Sequence, residues 1–132
     1  MVESQIQIEG IISACHYPPK GKRGMGLARA QGYGEVEAKN EYIHESSRDI
    51  EIYAQIESAT GIDNIDSILS QDINGYFIGP YDLSASLGSP GQFNSDEFIA
   101  AEDIALHAAK KYQIKCGYHL VEPEPKQISV LY

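Results

Sequence analysis

Apolar positions along the 132 residues fall into short continuous runs separated by longer amphipathic stretches. Ile50–Ile56, Gly75–Gly79 and Lys115–Val121 read as strands, because brief apolar runs bounded by turn residues fit strands of a parallel sheet covered on both faces. Helical spacing appears between them. Ser4 is placed to cap a helix through about Ala14, with Ile8, Ile11 and Ile12 as a partial apolar face. A second helix is expected over about Glu37–Ser47, and a short one over Ile62–Ser70 after a turn at Glu57–Gly61. Ser95 precedes the best helix, Asp96 to about Tyr112, with acids in its first turn, lysines in its last, and Phe98, Ala101, Ala105, Ala108 and Tyr112 on one stripe. Met1–Glu3 reads as the tail of a strand. His16–Gly34 and Pro80–Phe93, rich in Pro and Gly, read as ordered loops. Glu122–Pro125 is a breaker before a helix beginning at Lys126. The order is βα repeated, with crossovers long enough for right-handed parallel units, so the class is α/β.

Two of these runs end in carboxylates: IEIYAQIE at Glu57 and GYFIGPYD at Asp82. Ligands of α/β proteins bind at the carboxyl ends of parallel strands. Two acids from neighbouring strand ends suit a hard divalent cation. Taken singly, Glu57 also reads as a helix-start carboxylate bonding backbone amides, and Asp82 as a turn-forming Asp.

The size fits one domain over 1–132, and the 42% hydrophobic and 22% charged content is that of a globular chain. A net charge of −9 argues against nucleic acid or anionic membrane as the main partner. The only cysteines, Cys15 and Cys116, lack CxxC spacing and read as reduced thiols. With no long apolar span and no signal-peptide layout, a cytoplasmic location is the default. The glycines of GMGLARAQGYG do not make a nucleotide loop, since neither a preceding strand nor GK[ST] accompanies them. His16, His44, His107 and His119 have no zinc spacing. His119 reads either as a satisfied core histidine on its strand, the commoner case, or as a side chain pointing inward near a substrate. Lys115 stands at the wrong strand end for a Schiff-base lysine. Arg23 and Arg29 read either as surface or subunit-pairing cations, or as arms over the site toward an anionic substrate.

At YPPKGKRGMGLARAQGYG, QIES, GIDNIDSIL and GYFIGPYDLSASLGSPGQF the chain resembles the HpcH/HpaI aldolase family, class II pyruvate aldolases of the phosphoenolpyruvate/pyruvate TIM-barrel group. The resemblance implies a metal-dependent carbon–carbon lyase. Its substrates would be 4-hydroxy-2-oxo acids, such as 2-keto-3-deoxy sugar acids or 4-hydroxy-2-oxo-heptanedioate, handled through a pyruvate enolate. It implies Mg²⁺, Mn²⁺ or Co²⁺ as cofactor, pyruvate and an aldehyde as small-molecule partners, and a homo-oligomer. Glu57 and Asp82 correspond to the metal ligands. Gln55 corresponds to a residue near pyruvate, and the backbone of Pro80, Tyr81 and Asp82 to the turn that meets the substrate carboxylate. Tyr81 departs from the small residue of some members.

The family's D-x-E-H strand end, which supplies a proton-relay His, and the Arg-bearing strand after it have no counterpart here, so no catalytic residue is assigned. The expected fold is therefore a partial (β/α)₈ barrel: strands five to seven, their crossover helices and the tail of strand four. A full barrel takes at least about 200 residues. Little turnover is expected from the chain by itself. Two alternatives stand beside this: a non-catalytic remnant or oligomerising half-barrel that needs an N-terminal partner, and a citrate lyase β-like enzyme.

Overall fold

A computed structural model describes residues 1–120. Three parallel strands, β1 (Tyr53–Ile56), β2 (Gly75–Ile78) and β3 (Lys115–Tyr118), lie side by side in chain order. Helices α1 (Gln5–Cys15) and α2 (Val36–Asp49) precede β1. Two one-turn helices, α3 (Ala59–Asp63) and α4 (Ile65–Leu69), follow it, while α5 (Pro80–Ser86) and α6 (Asp96–Tyr112) join β2 to β3. This is the α/β order the sequence pattern implies. The expected strand end at Val121, the breaker at Glu122–Pro125 and the helix from Lys126 lie outside the described residues.

Strand alternation divides the sheet into unlike faces. Ala54, Ile56, Tyr76 and Ile78 are buried among Ile62, Ile65, Ile68, Leu83 and the α6 stripe, with Cys116 and Tyr118 packed against them. Burying each large side chain of this set stabilises the fold by roughly 1.5–3 kcal/mol. Among the described residues, nothing covers the opposite face. Tyr53, Gln55 and Phe77 are exposed there, which corrects the expectation of strands covered on both faces. On that face the Phe77 ring lies against Gly117 of β3, where a Cβ would stand 2.3 Å from two of its ring carbons. Tyr53 packs beside Phe77, with ring centroids 5.7 Å apart.

The helix termini follow local chemistry. Ser4 Oγ accepts from Gln7 N–H, Ser58 Oγ from Gly61 N–H and Ser95 Oγ from Phe98 N–H. Each such cap contributes about 1 kcal/mol. Ser95 was legible as a cap, and α6 runs as expected to Tyr112 with Phe98, Ala101, Ala105 and Ala108 buried. It stops where Gln113 turns left-handed (φ 54, ψ 39).

Several boundaries differ from the sequence reading. Strand β1 starts at Tyr53 rather than Ile50, because the Ile52 N–H is taken by the Asn74 side chain. The helix read over Ile62–Ser70 is two turns meeting at Asn64. Pro80–Phe93 is not all loop: Pro80 at the first helical position, with its preset φ, nucleates α5 directly from the end of β2. Met1–Glu3 is not a strand, yet Val2 N–H donates to Gln55 O at 2.9 Å as a neighbouring strand would. His16–Gly34 is an ordered loop with a 3₁₀ segment at Arg29–Gly34. Both cysteines are free.

One ionisable cluster lies between α6 and the sheet. The buried Tyr76 hydroxyl donates to Ala105 O. Burial raises the Cys116 thiol pKa and, with the help of Glu102, pushes Tyr118 up to about 12. Glu102 itself is held above the ordinary carboxylate range by burial, then by the neighbouring Asp103 charge. A raised folded-state pKa means that the stabilising, protonated form is complete at low pH and is lost as pH rises through the elevated value. Glu102→Gln is therefore expected to raise the melting temperature at neutral pH and leave it nearly unchanged near pH 4. Melts across that range check the sign; an equal effect at both pH values would contradict it.

Candidate functional site

The register of β1 and β2 pairs Ile56 with Ile78, so the next residues, Glu57 and Gly79, stand opposite each other at the carboxyl edge of the sheet. The ladder runs one bond further, with Gly79 N–H donating to Ile56 O at 3.1 Å. Glu57 occupies space that any larger residue at 79 would need: a Cβ there would lie 2.6 Å from Glu57 Oε2 and 2.9 Å from Glu57 Cβ. Glycine at 79 is thus what lets the carboxylate lie across the strand end. Asp82 comes three residues later, in the first turn of α5.

These elements bring Glu57 and Asp82 to the wall of one recess of about 330 Å³, together with Met1, Glu3, Ser58 and Ser86. Glu57 is 13% exposed at its side chain, and the Met1 ammonium stands 3.5 Å from its Oε1. Gln55, two residues earlier on the same strand face, donates from Nε2 to Glu57 Oε2 at 2.6 Å. Pro80 is buried and starts α5, while the backbone N–H groups of Tyr81 and Asp82 take no backbone acceptor among the described residues. The Tyr81 ring is half exposed and edge-on to Phe93, with centroids 5.0 Å apart; Phe93 continues to Phe98 in the core. That stacking fixes Tyr81 outside the set of side chains that line the recess.

The donor set fits a hard cation. Both carboxylates line one recess and offer oxygen donors, the ligand type a hard cation takes. Among the described residues no three His, Cys, Asp or Glu side chains gather into a closed cage.

Other candidate groups lie elsewhere. Arg23 stacks on Tyr17, 4.9 Å from its ring centroid, and donates to the Tyr42 hydroxyl at 3.3 Å, so it clamps the His16–Gly34 loop to α2. Neither Arg23 nor Arg29 lines the recess. His119 is exposed rather than in the core. Its N–H donates to Ile78 O, and alternation places it on the open face with Lys115 and Gly117. His16 is buried, and its Nδ1 has no partner among the described residues. Lys115 sits at the far end of the sheet, bonded to the Tyr53 hydroxyl at 3.1 Å and 3.5 Å from Glu51. A groove of about 580 Å³ between α4 and α6 is lined by Asp66, Asp103, His107 and Lys111, with no strand-end residue in it.

Sequence reasoning missed Glu3, Ser58, Gly79 and Ser86 around the carboxylates. A signal for Ser86 existed. It follows Asp82 by four residues, which places the two on one helix face, but the stretch was read as loop.

Residues 1–127 match the family model described as HpcH/HpaI aldolase/citrate lyase. A 2-keto-3-deoxy-L-rhamnonate aldolase of Klebsiella pneumoniae is 46% identical over 126 residues, covering 93% of this chain and 46% of its own length. A hydroxypyruvate/pyruvate aldolase of Roseobacter denitrificans is 44% identical over 95 residues, covering 70% and 36%. The crystal structure of an HpcH/HpaI aldolase from Desulfitobacterium hafniense superposes with a TM-score of 0.85 at 28% identity, over 98% of this chain and 50% of that one. The chain thus spans about half the length of the relatives it matches. By the family model over residues 1–127 and these relatives, this chain belongs to the HpcH/HpaI aldolase/citrate lyase family.

Proposed function

We propose that these residues form the metal-bearing part of a class II pyruvate aldolase that cleaves or forms 4-hydroxy-2-oxo acids. The observation that carries the reading is the shared recess of Glu57 and Asp82 at adjacent strand ends, with glycine opposite Glu57. The names of the two relatives support the aldolase branch over a citrate lyase β-like activity. They favour 2-keto-3-deoxy sugar acids or pyruvate-type donors as the substrate class, with an aldehyde as the other partner.

In this reading Glu57 and Asp82 hold Mg²⁺, Mn²⁺ or Co²⁺, which when bound supplies Lewis-acid neutralisation of charge developing on the 2-oxo acid. Gln55 fixes the Glu57 carboxylate through its 2.6 Å hydrogen bond and presents the rest of its amide toward pyruvate. The N–H groups of Tyr81 and Asp82 receive the substrate carboxylate. A dication held by Glu57 and Asp82 is neutralised by that pair, while Glu3, the third acid lining the recess, accepts from the Ser58 hydroxyl. The open face of the sheet supports a partial (β/α)₈ barrel, because large side chains lying over glycines on the next strand are how a barrel interior is filled.

The same open face favours a second reading, an oligomerising half-barrel completed by another chain. Exposed Tyr53 and Phe77 on that face invite packing by another chain. Sedimentation of a well-folded, non-associating monomer would count against it.

Three outcomes test the primary reading. Titration should show one Mn²⁺ site, and Glu57→Ala or Asp82→Ala should each abolish it; equal affinity in either variant would remove that residue from the ligand set. Gly79→Ala should cost about 1–3 kcal/mol by overpacking against Glu57 and weaken Mn²⁺ binding as well. Denaturant unfolding and the titration read the two effects, and a variant with neither would show that Glu57 is free to swing aside. With Mn²⁺, pyruvate and a short aldehyde, these 132 residues by themselves should show little turnover, since no proton-relay His or carboxylate-clamping Arg was found in them. Turnover at the rate of a complete aldolase would contradict that.

A further inference from the structure

The segment after Glu57 and the helix that carries Asp82 are joined by one side chain. Ser86, the last residue of α5, accepts the Ala59 N–H on its Oγ at 3.0 Å. Ala59 is the first residue of α3, so its N–H is one of the orphan donors that a helix start leaves without an internal acceptor. Ser58, the usual kind of cap, accepts from Gly61 N–H at 3.1 Å and gives its own proton to Glu3 Oε1 at 2.7 Å. It leaves Ala59 to Ser86.

The spacing gives this bond its consequence. Ala59 lies two residues beyond Glu57, and Ser86 lies four beyond Asp82 on the same face of α5. Ser86 and Asp82 both line the recess. The β1–β2 ladder fixes the strand ends as far as Gly79 and no further. Past that point, the rotation of α5 about its own start decides how far Asp82 stands from Glu57. Leu83 and Ser84 anchor the opposite side of α5: Leu83 is fully buried, and Ser84 Oγ accepts from Gly91 N–H at 2.9 Å. On the recess side Ser86 is the tie to the Glu57 segment.

We propose that Ser86 is a positioning residue, whose hydroxyl clamps the Ala59 amide and thereby sets the separation of the Glu57 and Asp82 carboxylates for a divalent cation. The inference rests on the metal-site reading above and deepens it. Ser86 itself is not a ligand in this account; it acts through the two acids.

Mn²⁺ affinity measured by electron paramagnetic resonance on the wild-type chain, Ser86→Ala and Ser86→Thr tests it, alongside thermal melts and amide exchange at Ala59. Ser86→Ala should weaken Mn²⁺ binding about 10- to 100-fold, the usual cost of losing a group that orients ligands. The melting temperature should change little, and the Ala59 amide should exchange faster. Ser86→Thr keeps the hydroxyl and should restore both affinity and protection, which a loss of general packing would not predict. Wild-type affinity in Ser86→Ala, or a Ser86→Thr variant as weak as Ser86→Ala, would overturn the proposal while leaving Glu57 and Asp82 as ligands. A wild-type chain that binds no Mn²⁺ would overturn the metal reading and this one together.

Discussion

The parallel register of β1 and β2 is the constraint from which the site follows. Pairing Ile56 with Ile78 puts a glutamate and a glycine side by side at the carboxyl edge, and a one-residue slip would exchange the core and open faces of the strand. Ile56 and Ile78 are both completely buried, so a slip of either strand would expose one of them at a cost of roughly 1.5–3 kcal/mol. The apolar core therefore holds the register, and the register holds the carboxylate. Glu57 stays mostly within the protein because Gly79 leaves it room and Gln55 donates to it.

Asp82 reaches the same recess by a different route. Its position depends on how β2 turns into α5, where Gly79 bends and Pro80 starts the helix in consecutive positions. A strand that runs straight into a helix places the first-turn side chain close to the strand end, without a loop to blur it. The proposed site belongs to the junctions between elements. The stability lies below them, in the helices packed on one face of the sheet.

Much of this was legible in the residues. The α6 stripe and its Ser95 cap read directly, because a long amphipathic helix repeats its signal over many residues. The two acid-terminated runs were visible for a similar reason: a buried strand has an apolar interior and an abrupt polar end. What could not be read was tertiary in origin. The open face of the sheet was missed, since Tyr53 and Phe77 are as apolar as the residues that face the helices. The helical start at Pro80 was hidden because proline and glycine signal a loop as readily as a first turn. Gly79, Ser58 and Ser86 carry no chemistry until the fold sets them beside Glu57 or its segment. Arg23 was ambiguous in the same way, and its stacking between Tyr17 and Tyr42 gives it a structural role.

The most direct test of the account is where a cation sits. Anomalous diffraction from crystals of this chain grown with Mn²⁺ should show one strong peak in the recess, with oxygens of both Glu57 and Asp82 within roughly 2.0–2.6 Å, the range of hard-cation bonds. A peak bound by neither acid, or the two carboxylates turned apart beyond the reach of one ion, would contradict it.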